Sequence, residues 1–282
     1  MRYAPALHVT GSAVTPVGSG PYDWMVHRRA LPVVFLTCPL LGLSDPDELA
    51  VDVALDRDVA AVVATQGPTT LLRTDAAVRM RHRFCLEPGA HLTYLPWLTI
   101  PFPGSRAVIE HDVELGAAAS FVAWDSMAVG RVARHERFAF DELHVRWRLR
   151  RDGELLLDDR LRLAGADPAL ATAAFGGHTH LASVLIAGPA EEALPLGAVR
   201  ELLAGLPLAG ASRPVPDVLV VRALADGAEH LEQALWPVVA LAHAAAGAPA
   251  LAPGDVARRW LRHPGGPAGP PVHVRTAQPV LG

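Results

Sequence analysis

Val78-Arg79-Met80-Arg81-His82-Arg83-Phe84-Cys85-Leu86 decides the fold class, because apolar or ring-bearing residues alternate there with polar ones at a period of two. That is the period of a β-strand, whose successive side chains point to opposite faces; a helix repeats every 3.6 residues. The same alternation places Leu49, Val51, Val53 and Leu55 on one face. It recurs at Ile109, His111, Val113 and Leu115, and again at Leu143, Val145, Trp147 and Leu149. Strands of this kind set one face on a core and the other in solvent or against a partner. Asp152-Gly153 then supplies a tight turn into Leu155–Leu163, which predicts a hairpin.

Working outward, the strands fall into a loose repeat. Each unit is an alternating strand that ends in leucine, a short turn, and a greasier strand. Leu55 leads through Asp56–Val59 into Ala60–Thr65, Leu86 through Glu87–Ala90 into His91–Trp97, and Leu115 through Gly116–Ala119 into Ser120–Asp125. The three leucines are 31 and 29 residues apart. A period of that size signals supersecondary units stacked on one another. The expected fold is mainly β, stacked sheets in a β-helix-like arrangement.

Near Pro189 the pattern changes. Val199, Leu202, Leu203 and Leu206 carry helical spacing over Ala198–Leu206. Leu231, Leu235, Val238, Val239 and Ala242 carry it over Glu229–Ala246. Val218–Leu224 reads as a further strand, and Asp255–Trp260 as a short helical turn. The expected organisation is a single β-rich domain over residues 1–263, with C-terminal helices at about 190–260 and a Pro/Gly-rich tail at 264–282.

Composition narrows the function. Net charge is −4 over 282 residues, and all 25 basic residues are Arg. That balance argues against a nucleic-acid binder, which needs a basic face. Cys38 and Cys85 are too few for a disulfide framework or a Cys-rich zinc site. The apolar run Leu31–Leu43 follows Arg28-Arg29 as a signal peptide would. It starts too late, is broken by Pro32 and Pro39, and is too short to span a bilayer. A cytoplasmic protein without a membrane segment is expected. His178-Thr179-His180 is the one closely spaced histidine pair, expected on one face of a strand, and it supports an alternative: a β-rich metal-dependent hydrolase. Ser126 lies beside Asp125 but lacks the Gly-x-Ser-x-Gly turn of a nucleophile elbow.

The order of short motifs carries a resemblance. Thr65–Thr74 is a Thr-rich strand-turn segment, and Leu92-Thr93-Tyr94-Leu95-Pro96-Trp97 a strand end. Trp124-Asp125, Gly130-Arg131 and Glu136-Arg137-Phe138 follow, then Asp152-Gly153 and Asp159-Arg160-Leu161. Together they resemble the urease accessory protein D (or H) family over roughly Val33 to Trp260. A Gly-Gly pair and a Gly-Asp open that region in the family; this chain keeps only Gly42 and Asp47.

The resemblance implies a non-catalytic scaffold in urease maturation. It implies binding to apo-urease and to accessory proteins F and G, the last a GTPase, and help in delivering nickel through a water-filled passage. No tightly bound cofactor is implied, only transient Ni2+. Such an ion needs weak oxygen or imidazole contacts, since a closed site would trap it. Asp125 and Glu136 are the candidate path residues, each either a lining carboxylate or an acid satisfied by Arg131 or a backbone amide. A β-scaffold interaction protein unrelated to urease is the third reading.

Overall fold

The computed structural model describes residues 1–256 apart from 28–29, 39–41, 46, 166–171 and 190–193. The predicted tail at 264–282, Trp260, and residues 40, 41 and 46 of the diverged glycine segment lie outside the described residues.

Five strands that the alternation did not predict open the chain: β1 (Arg2–Tyr3), β2 (Ala6–Val9), β3 (Val14–Val17), β4 (Asp23–His27) and β5 (Val33–Thr37). The coil units follow. β6 (Glu48–Leu55), β7 (Ala60–Thr65) and short β8 (Thr69–Leu71) make the first; β9 (Val78–Leu86), β10 (His91–Leu95) and β11 (Thr99–Pro101) the second; β12 (Arg106–Leu115) and β13 (Ser120–Ala128) the third. β14 (Glu142–Arg151) and β15 (Glu154–Ala164) form the hairpin, followed by β16 (His180–Ala187), helix α1 (Leu196–Leu202), β17 (Leu208–Val215), β18 (Val218–Ala225) and helix α2 (Ala228–Ala245).

The repeat seen in the sequence is the pitch of the coil. β6, β9 and β12 pair in parallel, so that Leu55, Leu86 and Leu115 stand directly opposite one another. β7, β10 and β13 do the same in the second sheet, with Val63, Tyr94 and Ala123 in line. The corners match too: Asp58, Gly89 and Ala118, each three residues past its leucine, take left-handed backbone (φ 57°, 72° and 55°). The first sheet runs β15-β14-β12-β9-β6-β2-β3 and the second β17-β18-β16-β13-β10-β7-β5-β4. The predicted hairpin turn is present, with Asp152 and Gly153 at φ 48° and 83°, the pair of positive φ values a type I′ turn requires.

Two apolar layers hold the stack together. One lies between the sheets and gathers Leu55, Phe84, Leu115, Phe121 and Leu149. The other lies outside the second sheet, where Trp124, Val184 and Val221 meet Leu231, Leu235 and Val239 of α2. α1 begins two residues earlier than the periodicity suggests and ends at Leu202, four residues short. A buried polar knot fastens α2 to β10: Thr93 Oγ1 lies 2.8 Å and His91 Nε2 3.2 Å from His243 Nδ1, and His243 Nε2 lies 2.8 Å from the Pro249 carbonyl.

Candidate functional site: an internal polar cavity

Because side chains alternate along β13, Trp124 and Asp125 face opposite ways. Trp124 is fully buried against the helical layer, while Asp125 points between the sheets. There it lines a cavity of about 100 Å³ shared with His82 and His111 from the first sheet and Tyr94 and Thr99 from the second. The Thr-rich segment forms part of the wall through Thr65, Thr69 and Thr70. Gly42 lines it as well, and a Cβ there would fall 2.3 Å from Thr70 Oγ1, so its close approach to β8 leaves room for glycine alone. Two smaller voids, about 20 and 10 Å³, lie against Asp125 from other directions. Asp125 is the one described residue that lines all three.

Burial pushes the Asp125 carboxyl up to about 6; hydrogen bonds from the Trp147 side chain and the Ser126 backbone oppose the rise, and the charge of Asp159 adds to it. At neutral pH the group is ionised, half-buried and short of part of its hydration. Beside it runs a ladder of rings. His111 stacks on Trp147 with centroids 3.8 Å apart and planes 7° from parallel, and His82 stacks on His111 at 4.8 Å and 13°. Burial lowers His82 to about 4 and His111 well below its usual value, so both are neutral at pH 7. Tyr94 tilts against His82, His111 and Trp147, and its hydroxyl is raised first by burial and then by Asp125.

Glu136 lies elsewhere. Arg131 grips it with two hydrogen bonds, Nε to Oε2 at 2.5 Å and Nη2 to Oε1 at 2.6 Å, which lower its carboxyl below the ordinary glutamate value. The guanidinium also sits 4.5 Å over the Phe102 ring. Gly130 makes this loop possible: it adopts φ 140°, and a Cβ would come 2.7 Å from the Glu136 carbonyl. Phe138, at φ 52°, turns its ring into the core beside Phe140 and Phe175. Asp125 and Glu136 are therefore not brought together, and Glu136 is not among the residues lining the cavity.

The histidine pair does not form the expected strand face. Gly176 and Gly177 are left-handed (φ 56° and 84°), and β16 begins only at His180. His178 stays in the preceding turn with Nδ1 3.2 Å from Asp226, while His180 is buried with Nδ1 2.9 Å from Thr179 Oγ1. Among the described residues no three His, Cys, Asp or Glu side chains gather as a metal cage. The arginine-bearing faces carry an ion-pair lattice on the outside of the first sheet, in which Arg146 pairs with Asp158, and Arg148 with Asp112 and Glu110. Among the described residues no helix is long and apolar enough to cross a membrane.

His82, His111, Trp147 and Tyr94 were read in the sequence only as inward strand positions or as part of a strand end. A signal was present: His82 and His111 are separated by 29 residues, the repeat itself, and so must stand side by side.

The fold and its interior define a coiled β architecture round a cavity with a mixed polar and apolar lining. Residues 26–255 match the family described as UreD urease accessory protein. The urease accessory protein UreD of Pseudomonas aeruginosa is 33% identical over 249 residues, which span 82% of this chain and 87% of that protein. UreD 2 of Brucella anthropi is 36% identical over 170 residues, 60% of this chain and 62% of its own length. UreD of Xanthobacter autotrophicus is 32% identical over 195 residues, 68% and 67% respectively. The chain belongs to the UreD urease accessory protein family, whose members are non-catalytic factors in urease maturation. The hydrolase reading of His178 and His180 is set aside on that ground and because the two rings take different partners, Asp226 and Thr179.

Proposed function

We propose that this protein is a scaffold that binds apo-urease together with accessory proteins F and G, and that nickel passes through its interior on the way to the urease centre. The observation that carries the proposal is the place of Asp125 at the meeting point of three cavities. A half-buried, ionised carboxylate in a cavity that threonine and tyrosine side chains also line gives a divalent cation a weak, exchangeable contact and keeps room for its remaining waters. The ion is cargo, so a closed cage would work against release.

In this proposal Asp125 is the contact inside the cavity. Glu136, held by Arg131, would reach an ion only by opening its fork, and its present work is to hold the Gly130–Phe138 loop. The action is cytoplasmic, where urease and its accessory proteins assemble.

Co-expression of the tagged chain with urease subunits and accessory proteins F and G tests the assembly. Recovery of all of them on the tagged chain, with no turnover of small esters or amides by the chain alone, is the expected outcome. Failure to retain urease, or robust hydrolysis by the isolated protein, refutes it.

A further inference from the structure

Building on the transit reading, we propose that a polar seam through Ser183 is the mouth of the cavity at the open edge of the two sheets, and that the ion pair between Arg222 and Asp159 is the latch that shuts it.

In the second sheet Asp125 of β13 stands opposite Ser183 of β16, and Ser183 stands opposite Arg222 of β18. The inward rows on either side read Ala123, Leu185, Val220 and Met127, Leu181, Leu224. Across the gap, Asp159 of β15 lies opposite Trp147, with Leu157 and Leu161 as its neighbours on the same face. All of these apolar side chains belong to the layer between the sheets. A polar row therefore runs between apolar ones, from the cavity carboxylate to β15, the last strand of the first sheet. Packing at the edge does not ask for it, since the same strands carry leucine one step to either side.

The voids follow the seam. Ser183 lines both small voids that touch Asp125, and Asp159 lines the smaller of them. The two carboxylates sense each other across it, because the charge of Asp159 adds to the rise of the Asp125 carboxyl. At about 10 Å³ that void has room for one water at most, so the seam as it stands is shut to a hydrated ion. Arg222 Nη2 closes it by donating to Asp159 Oδ2, which ties β18 of the second sheet to β15 of the first. The two side chains are 46% and 29% exposed. An ion pair so open to water is weak and screened by salt, and a long arginine stem lets the guanidinium leave for solvent while the strands stay in place. Shut, Arg222 sets a positive charge at the mouth and turns cations away. Swung out, it leaves a carboxylate at each end of the seam, which draws a cation in.

In the full chain, Ser183→Cys places a thiol in the seam. Its alkylation by iodoacetamide, read at that residue by peptide mass spectrometry, reports opening. Labelling should be slow at low salt and quicker at high salt. It should become several-fold quicker when Arg222→Gln is added, and slow again when the charges are exchanged as Asp159→Arg with Arg222→Asp. Equal labelling with and without Arg222→Gln overturns the latch, and this measurement needs no urease. Ser183→Leu joins the flanking leucine rows across the seam and should slow nickel-dependent urease activation several-fold at unchanged yield of the urease complex; labelling decides alone if that variant does not accumulate. Activation at the wild-type rate in Ser183→Leu, with Asp125→Asn slow, overturns the mouth and leaves the transit reading standing. Wild-type rates in both remove the transit reading, and the mouth with it.

Discussion

Asp125→Asn should make this protein more stable and less useful. The amide keeps the shape of the carboxyl and still accepts a hydrogen bond from the Trp147 side chain. It removes a charge that burial disfavours. Raising the carboxyl from 3.8 to about 6 corresponds to about 3 kcal/mol at 1.36 kcal/mol per decade. The sign follows from proton linkage: the folded state binds the proton more tightly than the unfolded chain. This group's contribution to stability is therefore fully present below about pH 4 and is lost as pH rises through about 6. Asparagine suffers no such loss. The Tm gap between variant and wild type should be small at pH 4, open between pH 4 and 6, and reach about 6–12 °C at pH 8, taking 2–4 °C per kcal/mol for a chain of this size. Thermal unfolding followed by circular dichroism at three pH values reads it directly. Acid effects from the buried histidines are common to both proteins and cancel in the difference. A pH-independent gap, or a variant less stable at pH 8, would refute the view that Asp125 is a desolvated ionised acid. A stabilising change that impairs urease activation is what the proposed transit role of Asp125 predicts.

Other outcomes follow from neighbouring residues. Trp147→Phe withdraws a hydrogen bond that holds the Asp125 carboxyl down, so the carboxyl should titrate above 6, measured by 13C NMR of labelled aspartate. Wild-type stability should fall as pH drops from 6.5 toward 4, because burial lowers His82, His91 and His111 and the unfolded chain takes up those protons first; in His111→Phe the slope should be shallower, read from Tm against pH. Gly130→Ala should lose soluble yield, because its Cβ would meet the Glu136 carbonyl at 2.7 Å.

Much of the fold was legible because register and sequence share one number. The leucine spacing became the inter-coil pairing of Leu55, Leu86 and Leu115, and Asp152-Gly153 became the type I′ turn. The strands before Thr37 were not legible, since they are short: β1 has two residues and β3 ends in exposed Thr15, Pro16 and Val17. β17 hid for a similar reason, with mostly exposed residues and Pro214 near its end. Trp124-Asp125 marks a strand whose Asp125 lines the candidate cavity. Spacing could not tell that Arg131 would take Glu136, because that depends on how the Gly130 loop folds back. The histidine ladder is visible only when the repeat is read across coils rather than along one strand.

Nickel content of urease is the most direct measure of the central claim. Urease would be purified from cells carrying this chain as wild type, as Asp125→Asn, or not at all, with the yield of the urease–accessory complex measured in parallel. The account predicts nickel-loaded urease with the wild-type chain, little nickel without it, and several-fold less nickel with Asp125→Asn at unchanged complex yield. Equal nickel occupancy in all three would contradict it.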